Sequence, residues 1–318
     1  MKKLNIVIPD AKTISCGDVS FDCFKEFGEV TEYQLSGERF LAERIKNADI
    51  ILCNKTPMNE KTIGEAKNLQ YIGLFATGYN NIDTEYTKKR GITVCNAAGY
   101  STDAVAQHTF AFILAQCSKV AEYNEFVQAD GWKKSDIFSP FVFPTNEIAG
   151  KTLGIVGLGT IGKAVAQIAL AFRMNVIYYS RTEKNMPGVR RVSLDELVSE
   201  SDFVTVHCPL NADSELMFNE SLFAKFKKGS YFINTSRGGT VDEKALANAV
   251  KSGIISGAAV DVVTTEPMAE DCPLCGVENI TITPHVAWAA TETRERCVQV
   301  AYNNLKMYLQ GNPINKVV

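Results

Sequence analysis

Three histidines occur in the chain, His108, His207 and His285. His285 lies in Ile282-Thr283-Pro284-His285-Val286-Ala287-Trp288, directly after a short apolar run. If that run is a strand of an open α/β sheet, the histidine sits at its carboxyl end, where such sheets bind ligands. His207 follows another such run, in Val204-Thr205-Val206-His207-Cys208-Pro209-Leu210, whereas His108 is embedded in an apolar segment and reads as structural. Arg237, in Ile233-Asn234-Thr235-Ser236-Arg237-Gly238-Gly239, also comes just past a strand candidate, with small neighbours that suit close approach by a ligand. Asp261 and Glu266 follow in Ala259-Val260-Asp261-Val262-Val263-Thr264-Thr265-Glu266-Pro267. An imidazole, a carboxylate and a guanidinium gathered together could protonate a ketone oxygen as hydride reaches its carbon, and could grip a substrate carboxylate. Spacing alone leaves each of these residues open between that work and a surface ion pair.

A second group of residues points to a nucleotide. Leu153-Gly154-Ile155-Val156-Gly157-Leu158-Gly159-Thr160-Ile161-Gly162 places a GxGxxG pattern after an apolar run and before an alanine-rich, helix-forming stretch, Lys163–Phe172. Glycine triplets recur by chance, but this one has the strand–turn–helix context of a dinucleotide fingerprint. Gly157 would permit the tight turn, Gly159 would let a pyrophosphate approach the backbone, and Gly162 would allow helix and strand to pack closely. The helix start at Thr160 and Ile161 then offers unpaired N–H groups to phosphate. The next strand candidate, Val176–Tyr179, ends in Ser180-Arg181-Thr182 instead of the acid that would bind the ribose hydroxyls of NAD. A planar cation and two hydroxyls in place of a carboxylate predict a preference for NADP(H), with NAD(H) still usable.

The elements that must position these groups read as alternating strands and helices. Strand candidates are Asn5–Ile8, Asp49–Cys53, Tyr71–Phe75 and Ile92–Cys95, then Leu153–Val156, Val176–Tyr179, Phe203–Val206, Tyr231–Asn234, Ala258–Val262 and Ile280–Thr283. Amphipathic segments at Phe40–Asn47 and Glu60–Asn68 lie between the early ones, and Thr291–Leu309, closed by Gly311 and Pro313, reads as a final helix. Two such series in 318 residues predict two doubly wound parallel α/β lobes. Ser101–Val120 is a long apolar segment that could join them. Residues 130–148 carry Trp132, Phe138, Phe141 and Phe143 without periodicity. Exposed, that loop would be a liability on a monomer, so it predicts a homodimer contact.

Composition narrows the partners. A net charge of −3 without a basic stripe gives no footprint for nucleic acid or an anionic membrane. The N-terminal apolar run is too short for a signal peptide and no stretch approaches a membrane span, so a cytoplasmic location is expected. Nine cysteines then read as reduced thiols. The pair Cys272 and Cys275 has CxxC spacing but no second pair to complete a metal site, so no metal is expected.

Taken in order, the blocks resemble the D-isomer-specific 2-hydroxyacid dehydrogenase family along essentially the whole chain. The residues that carry the resemblance are Ala76-Thr77-Gly78-Tyr79-Asn80-Asn81-Ile82-Asp83, Gly99–His108, the glycine fingerprint, His207–Leu210, Asn234–Gly239, Val260–Pro267 and Thr283–Trp288. The Pro284–Trp288 ending is most similar to the glycerate dehydrogenase and hydroxypyruvate (glyoxylate) reductase branch. The resemblance implies a Rossmann domain, 101–286, inserted in a flavodoxin-like substrate domain built from 1–100 and 287–318. It implies His285 as general acid, with Glu266 orienting its ring and favouring imidazolium, and Arg237 on the substrate carboxylate. Thr77 and Gly78 would complete the carboxylate site through their N–H groups, and Trp288 would help to shape the pocket. Asp261 would orient the nicotinamide carboxamide. Cys208, Pro209, Thr235, Ser236 and the His285 turn would line the cofactor. Hydroxypyruvate or glyoxylate, giving D-glycerate or glycolate, is the expected substrate.

Rival readings share the scaffold. A formate-type enzyme has Gln where Glu266 stands here. A phosphoglycerate dehydrogenase often adds domains beyond the position of Val318. A nucleotide-sensing corepressor can keep the same Arg, Glu and His.

Overall fold

Contiguous apolar tetrads, rather than alternating ones, require strands covered on both faces, and that is how this chain folds. A computed structural model describes residues 3–318. The chain divides into two compact units: Met1–Ser101 with Ala289–Val318, and Thr102–Trp288.

The first unit holds a five-stranded, wholly parallel sheet. Its strands are β1 (Leu4–Ile8), β2 (Gly28–Glu32), β3 (Ile50–Cys53), β4 (Tyr71–Leu74) and β5 (Thr93–Cys95), in the order β2-β1-β3-β4-β5. This is the flavodoxin-like order. Every residue of β3 and β4 is buried. On one face Val7, Ile51, Ile72 and Val94 pack with Leu41 and Ile45 of the helix Glu38–Ile45. The expected helix over Glu60–Asn68 is a single turn, Glu60–Ile63, closed at Gly64. Thr291–Leu309 forms the long last helix.

The second unit holds a seven-stranded parallel sheet: β6 (Thr152–Val156), β7 (Asn175–Tyr179), β8 (Val189–Arg191), β9 (Phe203–Val206), β10 (Ser230–Asn234), β11 (Ile255–Val260) and β12 (Ile280–Ile282). Their order, β12-β11-β10-β9-β6-β7-β8, is the Rossmann 3-2-1-4-5-6 arrangement with one more strand. Neighbouring residues alternate between two cores. Val156, Ile177, Phe232 and Ala258 face one; Ile155, Tyr178, Ile233 and Ala259 face the other. The strand order reverses between β6 and β9, and the crevice at that reversal is where such sheets take dinucleotides.

The apolar segment near residue 101 is the helix Thr102–Ser118, which opens the second unit. After the helix Val120–Gln128, residues 130–148 form no regular element. Phe138 is 91 % and Phe141 89 % exposed there, though Trp132 donates its indole N–H to the Phe138 carbonyl. No helix among the described residues is long and apolar enough to cross a membrane.

Candidate active site

The glycine turn is built as a phosphate cradle. Gly157 has φ +99°, and a Cβ on it would lie 2.8 Å from the backbone of His207 and Cys208, so only glycine lets the two loops meet. A Cβ on Gly162 would stand 2.2 Å from the Gly157 carbonyl oxygen, so the helix Thr160–Ala171 seats directly on the turn. A Cβ on Gly159 would meet nothing within 4 Å. The middle glycine therefore leaves an open approach to the helix start, which no capping side chain occupies. That shape fits a pyrophosphate.

His207, at the end of β9, has its Nε2 sealed from solvent with no hydrogen-bond partner among the described residues. Burial pushes its pKa down to about 3, so it is neutral at working pH. Burial raises the neighbouring Cys208 thiol, with the charge of Arg181 acting in the other direction. Pro209 is exposed beside it. All nine cysteines are unpaired, and no metal-holding cluster of His, Cys, Asp or Glu occurs among the described residues.

The candidate catalytic residues follow β10, β11 and β12 of the second unit, and two of them, Glu266 and His285, are in contact. Glu266 Oε2 lies 2.7 Å from His285 Nδ1. An ionised carboxylate can only accept, so Nδ1 carries the proton in that bond and Nε2 is left for other chemistry. The backbone of His285 is left-handed, with φ +55°. Such a conformation is costly for a residue with a Cβ, and Asp261 holds it in place. Asp261 is 1 % exposed. Its Oδ1 accepts from Thr283 Oγ1 at 2.5 Å and from the Val286 N–H at 2.8 Å; its Oδ2 accepts from the Ala287 N–H at 2.8 Å. Its backbone oxygen accepts from the His285 N–H at 2.7 Å. Asp261, expected at the nicotinamide carboxamide, is thus the anchor of the histidine turn.

Arg237 is half-buried at the start of a second pinned turn. Asn234, 1 % exposed, donates to the Arg237 carbonyl at 3.0 Å and accepts from both the backbone N–H and the hydroxyl of Ser236. The Gly238 backbone lies so close to Val263 that a Cβ would stand 2.0 Å from the Val263 carbonyl carbon. That contact sets the arginine turn against the segment leading to Glu266, whose Oε1 accepts from the Val263 N–H at 3.3 Å. Thr235 is buried and its hydroxyl meets that of Thr109. His108, read as structural, contacts the same assembly: its Nε2 is 3.2 Å from Thr283 Oγ1. Asn234, Thr283 and His108 escaped the sequence reading as positioning residues because nothing in their types distinguishes them; only the anchoring geometry does.

At the end of β7, Ser180 donates its hydroxyl to the Thr182 carbonyl and Arg181 pairs with Asp213. In the first unit, Thr77 is exposed, its hydroxyl donating to the Ala97 carbonyl, and Asn96 donates to the Thr77 carbonyl. Gly78 and Trp288 are half-exposed, each in its own unit.

A parallel sheet of Rossmann order with a glycine cradle and an imidazole–carboxylate pair defines a nicotinamide-dependent oxidoreductase. Residues 110–287 match the family of D-isomer specific 2-hydroxyacid dehydrogenases through its NAD binding domain. The chain is 37 % identical over 320 residues to a hydroxypyruvate reductase of Blautia hydrogenotrophica, covering 99 % of each. It is 37 % identical over 280 residues to a glyoxylate reductase of Korarchaeum cryptofilum, covering 86 % of this chain and 83 % of that one. Among solved structures it is similar to an acyclic imino acid reductase in complex with NADPH and D-Arg, with a TM-score of 0.87, 32 % identity and coverage of 99 % and 100 %. The chain belongs to the D-isomer specific 2-hydroxyacid dehydrogenase family.

Proposed function

We propose that this dehydrogenase reduces a small 2-keto acid, hydroxypyruvate or glyoxylate, to D-glycerate or glycolate, and that it prefers NADPH to NADH. The observation that carries the reading is the 2.7 Å contact between Glu266 and His285 Nδ1 on a turn anchored by Asp261. Bound nicotinamide supplies the hydride. In its imidazolium form His285 then donates the Nε2 proton to the oxygen that becomes the hydroxyl, while Glu266, accepting from Nδ1–H, keeps the ring oriented. Arg237 holds the carboxylate and stabilises charge growing on the keto oxygen. In this reading the N–H groups of Thr77 and Gly78 complete carboxylate recognition, and Trp288 limits the size of the substrate side chain. Ser180, Arg181 and Thr182 favour a 2′-phosphate over bare ribose hydroxyls. Thr160, Ile161, Cys208, Pro209, Thr235 and Ser236 line the cofactor.

A panel of hydroxypyruvate, glyoxylate, pyruvate, bulkier 2-keto acids and an acyclic imino acid, each with NADPH and NADH, tests this. The highest kcat/KM is expected for hydroxypyruvate or glyoxylate with NADPH; a higher value for any other member rejects the substrate assignment, and an NADH preference rejects the cofactor assignment. The exposed Phe138 and Phe141 fit burial against a second copy of the chain in the cytosol. Light scattering should give a dimer mass that falls in a Phe138→Ser/Phe141→Ser variant.

A further inference from the structure

Two arginines bracket the turn beyond β7. Arg181 presents Nη1 to Asp213 Oδ2 at 2.6 Å, and the two side chains are 65 % and 66 % exposed. Arg191, from the neighbouring edge strand β8, donates from Nη2 to the carbonyl oxygens of Ser180 at 3.0 Å and Arg181 at 3.2 Å. These bonds fix its guanidinium to the turn while employing one nitrogen of a group that has five N–H donors. The adjacent Arg190 differs: it is committed to Glu196 and Glu200 at 2.7 and 2.6 Å. Arg191 has no carboxylate partner among the described residues.

We infer that Arg191 is a second specificity residue for a nucleotide 2′-phosphate, and that Asp213 holds the place of that phosphate on Arg181 in the free protein. The inference rests on the NADP(H) reading above. An exposed carboxylate–guanidinium pair is weak and exchanges readily for a dianion that a planar cation can grip with two bonds. Arg181 belongs to the turn itself, whereas Arg191 reaches it from β8 and is bonded to its carbonyls, so together they can meet a phosphate from two sides. Asp213 both competes for Arg181 and repels the incoming charge. NADH lacks the phosphate and is indifferent to both effects.

Calorimetric titration of the full chain with 2′,5′-ADP and 5′-AMP isolates this site from turnover. Arg191→Gln should weaken 2′,5′-ADP about tenfold, the loss of one charge-assisted contact, and leave 5′-AMP within about twofold. Arg190→Gln should change neither. Asp213→Asn should tighten 2′,5′-ADP roughly threefold, as expected for release of an exposed pair. A wild type that prefers 2′,5′-ADP but is unaffected by Arg191→Gln overturns the role of Arg191 and leaves the NADP(H) reading standing on Arg181. Asp213→Asn without tighter binding overturns the role of Asp213. A wild type that fails to distinguish the two probes overturns the NADP(H) reading itself.

Discussion

Each unit carries a buried aspartate just past a strand, and each uses it to fasten a loop. In the first unit Asp10, 4 % exposed, accepts from the N–H groups of Asn54, Lys55 and Thr56 and from the Thr56 hydroxyl. In the second, Asp261 accepts from the Val286 and Ala287 N–H groups and the Thr283 hydroxyl. The device is the same, a carboxylate satisfied by backbone donors, which are shorter and stronger bonds than neutral ones. What it holds differs. The Asp10 loop contains no imidazole; all three histidines fall in the second unit. The Asp261 loop carries His285 in a left-handed conformation. One anchor sets a shape, and the other sets the shape of the turn that carries the proposed proton donor.

His285→Ala is the strongest test of that difference, because it removes the proposed proton donor and leaves both anchors. It should lower kcat by about 10²–10⁴ with an unchanged thermal transition; near-normal turnover would put the chemistry elsewhere. Asp261→Asn should come next. It turns an acceptor into a donor facing a backbone N–H, costing about 1–3 kcal/mol in stability, and loosens the catalytic turn, so kcat should fall together with Tm. Asp10→Asn should cost about the same stability while kcat falls much less. Equal losses of kcat in the two aspartate variants, corrected for folded fraction, would erase the distinction between the units.

The smallest effect at neutral pH concerns His207. Its folded pKa lies below the unfolded value, so the unfolded chain binds the extra proton and stability is lost as pH falls from about 6.5 toward 3. Denaturant titrations of wild type and His207→Gln should diverge by about 1 kcal/mol per pH unit in that window, the wild type losing more. Parallel profiles would show that the imidazole is solvated.

Central strands of both sheets were legible because burial on both faces leaves uninterrupted apolar runs. The strands that escaped, Gly28–Glu32 and Val189–Arg191, are edges, paired on one side and partly exposed, and their residues Gly-Glu-Val-Thr-Glu and Val-Arg-Arg show no such run. The glycine fingerprint and the sequence positions of Arg237, Glu266 and His285 could be read directly because their residue types are restrictive. The anchoring by Asp261 and Asn234 could not, since it depends on which backbone N–H groups a folded loop turns inward. Arg191 was hidden for a related reason: its meaning comes from lying one strand over from Arg181, a neighbour relation that only sheet order supplies.

The φ of +55° at His285 means that the imidazole sits on a backbone that glycine would occupy with less strain. His285→Gly should therefore raise the melting temperature slightly, by a gain of up to about 1 kcal/mol, while lowering turnover as far as the alanine variant does. Added imidazole, entering the space so vacated, should restore part of the lost rate. A protein that becomes hardier as it becomes inert would show that robustness had been exchanged for reactivity at a single peptide.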